Sequence, residues 1–310
     1  MLGPAKIRIG VMPGPWPAGA GAEFLWRLVE ACEASAVDSL WLSDRLLAPT
    51  LEPLTTLAAV AARTRRLKFG TAALVLPFRS PVLAAKSLAT LDVLSQGRVF
   101  PVVGVGLDQR REWEAVGVPA SERGRRTDEA MVVMRRLWLE DEVTHEGTYF
   151  RLERARLWPK PVQTPPPLWV GGTSEPALRR AGRLGDGWLG SVVLPDAFAR
   201  AVERIQGHAA AAGRTIPTDH YGTIIPFALA RTPAEGWQAA EPYLPRERAD
   251  EATLRALTAV GPPEAVAEAI ERYVRGGGTK FVLRPAGPPA AQLEQLAWLA
   301  ADVIPPFHAR

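Results

Sequence analysis

Two spacings of apolar residues alternate from one end of the chain to the other. Short runs rich in β-branched and aromatic residues, at 7–12, 39–43, 67–76, 98–105 and 168–170, read as strands. So do a short segment near Trp188, residues 221–229 and residues 281–284. Helical spacing fills the intervals. In 23–34, Phe24, Leu25, Leu28, Val29 and Cys32 share one face, which makes Cys32 a core residue. Helices are also predicted over 54–63, 122–139, 195–212 and 290–303. Ser80-Pro81 opens another through Leu94, with serine at the cap and proline where its missing N–H costs little. A helix over 262–275 stops at Gly276-Gly277-Gly278, a C-terminal glycine signal. A small β excursion at 143–152 and a proline-rich connector at 158–167 interrupt the rhythm.

Eight strand segments interleaved with helices, without a linker, predict one domain over 1–310: a single (β/α)₈ TIM barrel with short insertions. An open dinucleotide-binding sheet would carry Gly-x-Gly-x-x-Gly after its first strand, but Pro13-Gly14-Pro15-Trp16-Pro17 stands there. With 310 residues, 47% of them hydrophobic, the chain has ample material for a core. The net charge of +4 comes from dispersed basic residues, which argues against a nucleic-acid arm or a membrane-binding basic segment. The single cysteine rules out an intrachain disulfide and a cysteine zinc cluster. No apolar run approaches the ~20 residues of a membrane span. Residues 1–10 lack the apolar segment of a signal peptide, so a cytoplasmic location is expected.

In such a barrel the active site lies at the C-terminal ends of the strands. That rule gathers Trp16, Asp44, Arg79, residues 104–110, residues 171–174, Trp188 and Arg284. The four histidines, His145, His208, His220 and His308, fall elsewhere, so no metal site is expected. No nucleophile elbow or reactive cysteine is present, which leaves the chemistry to an organic cofactor. Strand ends around 73–76, with Gly104 and Gly106, would let a flat ring lie against backbone. Leu168-Trp-Val-Gly171-Gly172-Thr173-Ser174 passes from a strand through two glycines into a helix start, whose N–H groups suit a phosphate. The same residues also suit an ordinary strand-to-helix turn.

An ordered set of segments resembles the luciferase-like monooxygenase superfamily, in particular its branch using the deazaflavin coenzyme F420. The segments are Asp38-Ser-Leu-Trp-Leu-Ser-Asp44, Gly70-Thr-Ala-Ala-Leu-Val-Leu-Pro77-Phe-Arg-Ser-Pro81, and Leu91-Asp-Val-Leu-Ser-Gln-Gly-Arg98 leading to Gly104-Val-Gly106. Pro159-Lys-Pro-Val-Gln163 and the stretch from Leu168 to Leu184-Gly-Asp-Gly-Trp188 complete it. The resemblance implies a barrel, usually a homodimer, that transfers hydride or performs monooxygenation on a small-molecule substrate. It implies a ring across a strand-three bulge at Ala73, Leu74 and Val75, where relatives often have a non-prolyl cis peptide. Gly104, Gly106, Leu107 and Arg110 would complete the cofactor wall, and Gly171, Gly172, Thr173 and Ser174 would bind its phosphate.

Two positions depart from the family pattern. Asp44-Arg45 stands where many relatives have Asp-His or Glu-His, and Arg45 stays charged where histidine would titrate. Leu107 replaces a glutamate acid found in some deazaflavin dehydrogenases. Asp44 is then the ionisable candidate at the mouth, with Arg45 placed to pin an anion. Equally, Asp44 reads as a loop aspartate paired with Arg45. Trp16 and Trp188 are candidates to line a substrate pocket or to pack. Arg79 and Arg284 suit a substrate carboxylate or phosphate, or a structural salt bridge. Three readings are therefore carried: an F420-dependent hydride-transfer enzyme, an FMN-dependent monooxygenase fed by a partner reductase, and a cofactor-binding protein with little catalysis.

Overall fold

Strands and helices follow one another in the computed structural model, which describes residues 6–17, 19–246 and 249–308. Residues 1–5 of the N-terminal stretch lie outside the described residues. The strands are β1 (Arg8–Val11), β2 (Ser39–Leu42), β3 (Lys68–Val75), β4 (Val99–Gly104), β5 (Val143–Glu146), β6 (Arg151–Ala155), β7 (Trp169–Gly171), β8 (Gly187–Gly190), β9 (Tyr221–Leu229), β10 (Ala259–Gly261) and β11 (Lys280–Pro285). The first six helices are α1 (Ala22–Glu33), α2 (Pro53–Arg63), α3 (Pro81–Ser95), α4 (Arg110–Val116), α5 (Arg123–Leu139) and α6 (Glu175–Leu184). Then come α7 (Pro195–Ala211), α8 (Pro233–Ala240), α9 (Glu251–Leu257), α10 (Pro263–Arg275), α11 (Gln292–Trp298) and α12 (Pro305–His308).

The order β1-β2-β3-β4-β7-β8-β9-β11 closes on itself through parallel pairing of β11 with β1, giving the eight-stranded barrel. β5 and β6 form the predicted excursion, an antiparallel hairpin. Along the last residues of β9, β10 pairs where β8 has already ended. Strands that short carry no period, so β10 escapes a reading by periodicity, as do α4, α8 and α9. The closing helix expected over 290–303 is α11 followed by a π-helical turn at Leu299–Val303.

Side chains alternate across the barrel wall. Met12, Trp41, Val102, Trp169, Leu189 and Val282 fill its interior, while Ile9, Leu40, Phe69, Val103, Val170 and Phe281 join the larger core under the helices. Cys32 is in that outer core, its thiol pushed up to about 12 by burial.

Charge closes the N-terminal end. Asp38 sits 2.7 Å from Lys280 and 3.8 Å from both Arg8 and Lys68, four residues at the starts of adjacent strands. Burial pushes the Asp38 carboxyl up, but the three cations outweigh it and hold the group below its ordinary range. Glu33 accepts the N–H groups of Arg65, Arg66 and Leu67, and Arg98 donates to the carbonyls of Ala61, Thr64 and Leu67. These ties fix the helix-to-strand turns, so the opposite rim is left for function.

Candidate active site

The rim begins with an irregularity in β3. Its register against β4 shifts between Ala72 and Leu74, and the Ala72–Ala73 peptide is cis. Ala73 comes to lie beside two glycines. A Cβ at Gly104 would stand 3.1 Å from the Ala73 methyl, and one at Gly171 would stand 3.3 Å from it. The ends of β3, β4 and β7 thus share a floor whose only side chain, among these three residues, is one methyl group. Leu74 has no exposed surface and joins the core. Gly106 has a φ of +77°, and a Cβ there would meet Trp113 at 2.8 Å and Val75 at 2.9 Å.

Beyond the floor the chain turns at Gly172, with φ +105°, into exposed Thr173 and Ser174 and then α6. Ser174 holds the N-cap position with extended backbone, but its side chain makes no capping bond. Glu175, the acid of the first turn, is engaged from α7 by His208 at 2.8 Å and by Arg204. Trp188 has no exposed surface. Its indole donates to the Gly172 carbonyl at 2.7 Å, so it supports the turn from within the core and lines no open pocket.

Asp44 is buried after β2, and its partner is Arg79 rather than Arg45. Its carboxylate accepts the Val75 N–H at 2.9 Å and meets the Arg79 guanidinium at 3.0 Å. Burial raises its pKa above the ordinary range although Arg79 and the Val75 N–H pull it back. Arg79 also pairs with Glu52 at 2.8 Å. Arg45 turns to α4, donating to Gln109 at 2.9 Å, with Glu112 3.7 Å from its Nε. Glu112 is itself buried and accepts the Leu47 N–H at 3.2 Å. No sequence motif pointed to it. Its signal would have been an acid on the apolar side of a short helix.

Arg110 lies on the surface, paired with Glu114 at 2.6 Å. Leu107 is exposed, and its carbonyl accepts the Trp113 indole N–H at 2.9 Å. Arg284 is half-buried near the end of β11, in register with Pro226 of β9.

Next to this rim an open cleft lies at the ends of β1 and β2. Met12, Trp16, Leu42, Ser43, Leu51 and Thr56 line it. Met12 also belongs to the interior cluster against which Ala72 and Ala73 pack. Among the described residues there is no group of three His, Cys, Asp or Glu placed to hold a metal ion, and no helix long and apolar enough to cross a membrane.

The closed parallel barrel thus has nearly bare backbone at the ends of three adjacent strands, beside a glycine turn and a helix start. The profile of the luciferase-like monooxygenase family matches residues 6–280. The chain belongs to that family, which is one of oxidoreductases. An F420-dependent glucose-6-phosphate dehydrogenase of Amycolatopsis mediterranei is 30% identical over 320 residues, which covers 89% of this chain and 92% of that protein. An uncharacterized protein of Mycobacterium tuberculosis is 37% identical over 170 residues, 54% of this chain and 58% of the relative, so the match spans less than two thirds of that relative's length. The monooxygenase RslO1 of Streptomyces bottropensis shares the fold, with a TM-score of 0.83 over 97% of this chain and 100% of that one at 24% identity.

Proposed function

We propose that this chain is a deazaflavin-dependent oxidoreductase, using coenzyme F420 for hydride transfer to or from a small organic molecule at the C-terminal mouth of the barrel. The floor of Ala73, Gly104 and Gly171 carries the reading, because only residues without bulk let a flat conjugated ring approach the strand ends. The named cofactor of the Amycolatopsis relative supports F420; its sugar-phosphate substrate is not carried over. When bound, the deazaflavin supplies two-electron hydride chemistry that no side chain of this rim provides.

The chain's own residues bind and orient. Gly172 lets the turn come close to a ligand, and the hydroxyls of Thr173 and Ser174, with the N–H groups at the start of α6, would hold the anionic group of the cofactor, since no capping bond engages the Ser174 side chain. Asp44 fixes Val75 and Arg79 and so holds the end of β3 in place; it acts as a positioning residue. Arg45 holds the 45–51 loop against α4 through Gln109 and Glu112.

Titrating the purified protein with F420 and with FMN, followed by fluorescence, tests the proposal. F420 should bind, and Gly171→Val and Gly104→Val, compared in samples whose circular dichroism matches the parent protein, should bind at least about tenfold more weakly, as expected when bulk blocks a preformed site. Preference for FMN would point instead to a monooxygenase supplied by a partner reductase. Binding of neither cofactor, or unchanged affinity in both variants, overturns the proposal.

A further inference from the structure

We propose that the cleft at the ends of β1 and β2 binds a neutral, largely apolar molecule carrying a single hydroxyl or carbonyl group, and rejects phosphorylated and carboxylated ones. As a substrate assignment this rests on the oxidoreductase reading above; as a binding site it stands on its own geometry.

None of the lining side chains is charged; Met12, Trp16, Leu42 and Leu51 provide the apolar surface. Most of the polar groups are already engaged. Thr56 donates its hydroxyl to the Glu52 carbonyl at 2.7 Å, and Thr50 donates its own to the Arg45 carbonyl at 3.5 Å. The Gly14 N–H goes to Gln292 at 2.8 Å, and the Trp16 indole N–H to the Ala20 carbonyl at 2.9 Å. Pro13 has no N–H to offer. Ser43, half-buried and bonded to no other side chain of the lining, remains to answer one polar group of a ligand.

The surrounding charges exclude anions. Arg79 lies between Asp44 and Glu52, and Arg45 lies against Glu112. Three carboxylates thus offset two guanidinium groups, and an anion approaching Arg79 would have to displace a carboxylate already hydrogen-bonded to it. A ketone or secondary alcohol with an alkyl chain matches that apolar lining and that single polar anchor.

Calorimetric titration of the cofactor-free and the F420-loaded protein with methyl hexyl ketone, octanoate and glucose 6-phosphate tests the inference. The ketone should bind both forms, and the two anions at least about tenfold more weakly. Ser43→Ala should weaken the ketone about fivefold, the loss of one neutral hydrogen bond. Exposed Leu51→Arg, which adds an uncommitted cation at the cleft edge, should strengthen octanoate several-fold. Equal binding of either anion, no ketone binding, or a ketone affinity indifferent to both Ser43→Ala and Trp16→Ala overturns the inference. Cofactor fluorescence on the same samples separates the two readings. F420 binding without ketone binding removes the cleft assignment alone, and ketone binding without F420 removes the cofactor assignment alone.

Discussion

Replacing Asp44 distinguishes a positioning carboxylate from a catalytic one. Asp44→Ala removes the acceptor 2.9 Å from the Val75 N–H, and Val75 is buried. An orphaned buried N–H costs about 1–3 kcal/mol. Arg79 keeps Glu52 at 2.8 Å, so no guanidinium is stranded and the larger penalty of a broken buried ion pair does not apply in full. The expected loss is about 2 kcal/mol, or a fall in Tm of about 3 °C for a chain of this size. Asp44→Asn keeps an oxygen for Val75. Because burial already raises the Asp44 carboxyl above its ordinary range, the negative charge itself contributes little, and the asparagine variant should lose less than about 1 kcal/mol. The sign of the pH effect follows. The folded state holds the proton to higher pH than the unfolded chain, so the stability due to Asp44 is fullest below the unfolded value and falls as pH rises through the folded one. Asparagine should remove that slope. Thermal unfolding across pH, alongside F420 titration, measures all of this. An asparagine variant as unstable as the alanine variant would refute the hydrogen-bond argument. Normal stability and cofactor binding with a hundredfold loss of turnover would make Asp44 a proton carrier instead.

Lys280→Met strands Asp38 with only the cations 3.8 Å away and should cost about 3 kcal/mol, without changing cofactor or ketone affinity at the opposite end of the barrel. Altered affinity in a folded variant would contradict that separation. The folded-state pKa of Asp38 lies below its ordinary value of 3.8, so its contribution to stability is present above that value and lost as pH falls through the folded one. Acid titrations of wild type and Lys280→Met should diverge above that range and converge below it. Glu129 accepts the N–H groups of Thr148, Tyr149 and Phe150 from the hairpin of β5 and β6. Glu129→Ala should release this hairpin to limited proteolysis between β5 and β6 while the barrel stays folded, and an unchanged digestion pattern would refute that role.

The sequence by itself determined the alternation of strands and helices, the buried place of Cys32 and the glycine turn before α6, because apolar spacing and glycine chemistry act within a few residues. Several residues that carry the family resemblance are scaffold ties. Asp92 accepts from Gln163, and Asp186 joins Arg135, Arg214 and the Leu168 N–H. Partner choice was decided only by tertiary structure. Arg79, 35 residues beyond Asp44, displaced the neighbouring Arg45, which found Gln109 64 residues away. Trp188 likewise stands on the helix side of β8, while Leu189 enters the barrel interior. All four residues of β8 are buried, so hydrophobicity could not tell its two faces apart. Periodicity is a property of one segment, but the charge a side chain meets is set by which strand ends the closing barrel brings together.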